Sequence, residues 1–236
     1  MKKQMWIAMA LSAAVFGSTV GCSGLGTKEA ENNQKVQSSF ETEDMKLDTP
    51  VMAVGEEEVT LNEMLFYVYQ LKSGYDSALS SAVWGYSYEE GKTIESNTKE
   101  ELVKEIAQIK IICQEAEKQG NSLTEEEANQ AKVAAEQYVD ALPKSAKAYC
   151  LSEKLVEKIY KEHALAKKMY DVVGGTIDTE VSDAEVGEGE DATKEKEKIL
   201  AEREKTAFTE AYQKWKENYK IVVSRPLLDS ISFQKE

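Results

Sequence analysis

The sequence predicts a mainly α fold with a small two-stranded sheet joining its N- and C-terminal segments. Three observations predict it. Helix formers (Glu, Lys, Ala, Leu, Gln) dominate, and only three prolines, Pro50, Pro143 and Pro226, interrupt the chain. Capping-box patterns precede apolar stripes of helical spacing at Thr60–Glu63, Thr98–Glu101 and Thr124–Glu127. Two short β-branched runs, 51–54 and 221–223, lie far apart in sequence. Isolated short strands are unstable, so 51–54 is expected to pair with 221–224.

The chain opens with Met1-Lys2-Lys3-Gln4, an apolar run from Met5 to Phe16, and small residues up to Thr19-Val20-Gly21-Cys22. That order reads as a secretory signal peptide over 1–21. Its apolar run is short for a bilayer core of about 30 Å. Cys22 directly after Val20-Gly21 resembles the lipobox of bacterial lipoproteins, with Thr19 where leucine is usual. The resemblance implies a diacylglycerol on the Cys22 thiol, cleavage before it, and anchoring to the outer face of a bacterial membrane. The alternative is an ordinary signal peptide with a coincidental cysteine. Residues 22–49 are polar and aperiodic, as in a tether. Such a coil spans on the order of 30 Å.

Pro50 ends the tether. Val51–Val54 reads as a strand, Gly55-Glu56-Glu57 as a turn and Val59 as a brief return. Thr60 caps a first helix with Leu61, Met64, Leu65, Val68 and Leu71 inward. A loop from Gly74 to Asn97 holds Trp84-Gly85-Tyr86-Ser87-Tyr88. A second helix starts at Thr98, carries Leu102, Ile106, Ile109, Cys113 and Ala116 on one stripe, and stops at Gly120. A third follows Thr124, with Ala128, Ala131, Ala135, Tyr138 and Leu142 on one stripe, and ends before Pro143. A fourth runs from about Ser152 to Val173, closed by Gly174-Gly175. Residues 176–181 read as extended and 182–186 as a helix start. Gly187-Glu188-Gly189-Glu190-Asp191 is an acidic linker. A long helix over about Lys194–Tyr219 follows, with Phe208, Tyr212 and Trp215 on its stripe. Then come the strand 221–223 and a terminal helix with Pro226 in its first turn.

Acidic side chains number 43 against 29 basic ones, for a net charge of −14. Removing 1–21 takes away Lys2 and Lys3 and no acid, giving −16. That balance repels nucleic-acid phosphates and anionic headgroups and favours basic partners. The mature chain of about 215 residues suffices for one or two domains with a core. Cys113 and Cys150 have no metal or redox spacing. Two buried free thiols are expected, with a bridge as the alternative.

Local features resemble SurA-type periplasmic chaperones and PrsA-type foldase lipoproteins. Val51 to Thr60 looks like that family's opening strand, turn and helix cap. Glu63 to Tyr69 looks like its acidic-aromatic first helix. Glu115-Ala116-Glu117-Lys118-Gln119-Gly120 followed by Leu123–Glu127 looks like its helix end and restart. Val181-Ser182-Asp183-Ala184-Glu185-Val186 looks like the lead-in to its isomerase domain, and Phe208–Val223 like the returning segment. The resemblance implies a helical chaperone region over 50–181 and a C-terminal part over 194–236 that packs back on it. A parvulin-type isomerase would stand between lead-in and return. Only the stretch from Gly187 to about Glu202 stands there, too short for a domain. The linker 182–193 therefore replaces the isomerase, and the family's histidine-dependent site is missing, since His163 is the single histidine.

No catalytic, metal or cofactor site stands out in the sequence. His163 lies inside a helix without a ligand-spaced partner and reads as structural. The linker acids lack EF-hand spacing. The candidate client-binding residues are Trp84, Tyr86 and Tyr88, at alternating positions of one loop, together with Tyr69 of the first helix. Aromatics give broad contact at low side-chain entropy cost. For Trp84 the alternative is a core position under the loop. The expected function is a membrane-anchored chaperone that holds unfolded or nascent secreted polypeptides without ATP, with no nucleic-acid or small-molecule substrate. The alternatives are a lipoprotein docking one folded partner, or a prolyl isomerase with an unrecognised site.

Overall fold

A computed structural model of the protein describes residues 46–78, 80–149, 151–186 and 191–233. The signal peptide, Cys22, the tether up to residue 45, Cys150 and residues 187–190 lie outside the described residues. The order of elements is β1 (Pro50–Val54), β2 (Glu57–Thr60), α1 (Leu61–Ala78), a 3-10 turn (Ser81–Gly85), β3 (Ser87–Glu89), β4 (Lys92–Thr93), α2 (Ile94–Lys118), α3 (Glu125–Asp140), a second 3-10 turn (Lys144–Tyr149), α4 (Glu153–Gly174), α5 (Asp183–Val186), α6 (Ala192–Lys216), β5 (Ile221–Val223) and α7 (Arg225–Ser230).

The ends of the folded body meet as expected. β1 pairs antiparallel with β5, Met52 opposite Val223 and Val54 opposite Ile221. The sheet is three-stranded rather than two-stranded, because the return through Glu57–Thr60 also pairs with β1, in the order β2-β1-β5. Gly55 makes that return at φ +60°, and a Cβ there would lie 2.7 Å from Gln114 Oε1 and 2.8 Å from Tyr219 Cδ1. Both conformation and space demand glycine. β3 and β4 form a separate hairpin.

Four boundaries differ from expectation. Among the described residues, the segment ahead of Pro50 already contacts the body. The carbonyls of Thr49 and Leu47 accept the Leu61 and Asn62 N–H groups, which open α1 and have no partner within it. Helix α1 continues through Gly74 to Ala78, since one glycine costs a helix only about 1 kcal/mol. Helix α2 starts at Ile94, not at Thr98. Its cap is Thr93, whose Oγ1 accepts from Ser96 N at 3.1 Å while Ser96 Oγ accepts from Thr93 N at 2.9 Å. Serine here does what Glu or Gln does in the usual box, and the hairpin delivers Thr93 to the cap position. The box at Thr124–Glu127 forms in full. Asp191 caps α6 two residues earlier than expected.

α1 and α2 form the centre of the core. Leu61, Met64, Phe66, Tyr67 and Val68 of α1 are buried, and so are Leu102, Val103, Ile106, Ala107, Ile109, Ile111 and Ile112 of α2. These residues span more than one stripe, because the sheet, α4 and α7 also pack on the pair. A smaller cluster joins Ile112 and Ala116 to Met169 of α4 and Phe208 of α6. α6 is otherwise half-exposed along its expected stripe.

Candidate functional site

The aromatic loop divides into a brace and a display. Ser80 Oγ caps the first 3-10 turn by accepting from Ala82 N at 3.3 Å. The turn drives Trp84 inward to 0% exposure. Phe233 stacks against one side of it at 4.7 Å between centroids, and Tyr75 of α1 lies against it at 5.3 Å. Trp84 is thus core, and does not share an exposed face with the tyrosines that follow it. The chain then extends through Tyr86 into β3, leaving Tyr86 and Tyr88 in solvent. They are 64% and 49% exposed, with Tyr75 beside Trp84 at 47%. The tyrosine-bearing segment is held by Ile94 N donating to Tyr86 O and by Ser87 Oγ donating to the carbonyls of Glu89 and Lys92. Tyr69 does not join this surface. It packs against Tyr149 at 5.0 Å and is partly buried.

Sequence reasoning missed a buried charge network. Glu63 and Lys110 are each 1% exposed. Lys110 Nζ lies 2.6 Å from Glu63 Oε1, as an ion contact outside hydrogen-bond geometry, and 2.6 Å from Glu162 Oε1 as a hydrogen bond. Lys158 Nζ, half-exposed at the rim, reaches Glu63 Oε2 at 2.9 Å. Only half of the expected Thr60 box forms. Glu63 N donates to Thr60 Oγ1 at 3.3 Å, but the Glu63 carboxylate turns inward to Lys110. The legible signal was Lys110 itself, at helical spacing from Val103, Ile106 and Ala107 on an apolar stripe.

The network shapes the acid–base character of its neighbours. Burial alone would lower the Lys110 ammonium, but Glu162 and Glu63 hold it above the ordinary lysine range. Burial pushes the Glu162 carboxyl up against the pull of Lys110, and Glu63 adds to the rise. Beside them, Tyr67 Oη and His163 Nε2 are hydrogen-bonded at 3.2 Å with the rings stacked. Burial, then Lys110, lowers His163 to about 4. Cys113 is a free thiol, partly buried, that donates to Glu162 O at 3.4 Å. Burial, then Glu162, pushes it up to about 12, so it stays protonated at neutral pH and is no nucleophile. The charge network and the two rings tie α1, α2 and α4 in one register.

A pH consequence follows. His163 binds a proton near 6.5 when unfolded and near 4 when folded. The unfolded state therefore takes up the extra proton, and stability falls as pH drops from about 6.5 to about 4, by on the order of 3 kcal/mol at full shift. His163→Gln keeps a partner for Tyr67 and removes this slope. Urea unfolding of both proteins across that range checks it. Equal slopes would show that His163 does not titrate on unfolding.

Among the described residues, no group of three or more His, Cys, Asp or Glu is placed to hold a metal ion, and no helix is long and apolar enough to cross a membrane. No protein-family model, curated protein or solved structure matches the chain.

Proposed function

We propose that the protein is a lipid-anchored extracytoplasmic holdase of the SurA/PrsA type without an isomerase, holding unfolded secreted chains without ATP. The observation that carries this reading is the pair Tyr86 and Tyr88, held out on a braced hairpin with about half or more of their surface in water. Large exposed aromatics on a rigid element favour binding with little loss of side-chain entropy. The pairing of β1 with β5 supports the order of elements that the resemblance implies. In this reading Cys22 carries the lipid, and anchoring raises the local concentration of the holdase where secreted chains emerge.

The test is suppression of aggregation of a chemically unfolded, neutral client by the chain from Ser23 onward. Dose-dependent suppression without ATP is expected. Tyr86→Ser with Tyr88→Ser should lower it severalfold while unfolding stability stays within about 0.5 kcal/mol, since both side chains are exposed. No suppression by a folded chain would overturn the reading in favour of docking one folded partner. Acceleration of proline-peptide isomerisation would overturn the non-enzymatic part.

A further inference from the structure

Beyond Gly174 the chain runs back along α6 as a strap. Arg203 of α6 donates at 2.8 Å to Asp178 O and at 2.8 Å to Glu180 O, and pairs with Glu185. Glu185 Oε2 in turn accepts from Ser182 N at 2.8 Å and Ser182 Oγ at 2.7 Å. Strap and helix line a shallow surface cleft, open to solvent along most of its extent, of about 450 Å³. Ile177, Ile199 and Ala207 supply its apolar part, and Asp178, Glu202 and Glu210 its acidic part. Arg203, the cation in the lining, is already engaged by the strap. Glu202 has a 3.8 Å approach from Lys205, and Glu210 has no ion pair among the described residues.

The spacing is suggestive of one kind of ligand. Glu202 and Glu210 stand two residue rows apart on α6, roughly 12 Å along its axis at the helical rise. In an extended peptide, residues i and i+4 lie roughly 13 Å apart on one side, with i+2 between them. We propose that this cleft binds an extended client segment with Lys or Arg at i and i+4 and an aliphatic residue at i+2, the cations meeting Glu202 and Glu210 and the aliphatic side chain meeting Ala207, which stands between them on α6. The proposal rests on the holdase reading and names its substrate class. Charge complementarity selects the occupant. The mature chain's net charge of −16 disfavours a second copy of itself and attracts basic segments.

The probe is a fluorescently labelled peptide, Ser-Lys-Ser-Leu-Ser-Lys-Ser, titrated by anisotropy at low salt against the chain from Ser23 onward. The control peptide has Glu for both Lys. The Lys peptide is expected to bind and the Glu peptide not. Glu202→Gln with Glu210→Gln should weaken binding about fivefold, the sum of two surface ion pairs. Added salt should weaken it further in the wild type than in the variant. Glutamine matches glutamate in helix propensity, and circular dichroism verifies the fold. Equal binding by wild type and variant, or by both peptides, overturns the site. Suppression of neutral-client aggregation without binding of the Lys peptide overturns the substrate class and leaves the holdase standing. Peptide binding lost in the variant, without any suppression by wild type, supports the cleft and overturns the holdase. Neither activity overturns both.

Discussion

Lys110→Met is expected to destabilise the protein by about 3–5 kcal/mol, because it removes one partner of a buried network and leaves charge uncompensated. Glu63 has no water to fall back on, and Glu162 has little. Rim Lys158 reaches Glu63 at 2.9 Å but stands 3.8 Å from Glu162, so it neutralises the pair only in part. In thermal terms the loss is roughly 10 °C for a chain of this size. Urea unfolding measures it. The companion variant, with Glu63, Glu162 and Lys110 all replaced by Leu or Met, is expected to recover most of the loss, since apolar side chains of similar volume need no counter-charge. A Lys110→Met protein within 1 kcal/mol of wild type would show that solvent reaches Glu63 freely.

Trp84→Ala is expected to remove about 3–5 kcal/mol, the usual range for truncating a buried aromatic. The effect extends beyond the cavity. Trp84 contacts both Phe233 and Tyr75, so it ties the C-terminal segment to the end of α1. That segment is also held by Lys99 Nζ donating to Asp229 O at 3.3 Å and by the pair Arg225–Glu100. The C-terminal residues should become susceptible to limited proteolysis in the variant before the rest of the body does. Trp84→Phe, which refills most of the space, should retain both stability and protection. If Trp84→Ala unfolded at the wild-type urea midpoint, the indole would have to lie in solvent rather than in the core.

These two residues show where a linear reading succeeds and where it stops. The span of α3, its reciprocal cap at Thr124 and Glu127, and the terminal helix after Ser224 were legible, because caps and apolar periodicity act within a few residues. The pairing of 51–54 with 221–223 was also legible, since two short strands need each other. The start of α2 was misplaced by four residues, because Ser96 completes a box that the Glu/Gln rule does not describe, and Thr98 offered a plausible competitor. Among the aromatics, Trp84 alone carried a core alternative in the sequence, and the 3-10 turn decided it by turning the indole inward. Tyr69 was drawn out of the candidate set by Tyr149, eighty residues away.

Helix content, the pairing of the first and last strands and the acidic character thus follow from local propensity, periodicity and composition. The inward turn of Glu63, the sharing of Lys110 between Glu63 and Glu162, the suppressed basicity of His163 and the burial of Trp84 do not. Each depends on removal from water, and that is decided by which helices pack together. A capping glutamate and a buried counter-ion are the same residue in sequence. They differ in the dielectric around the carboxylate, and the packing of α1 against α2 and α4 sets it.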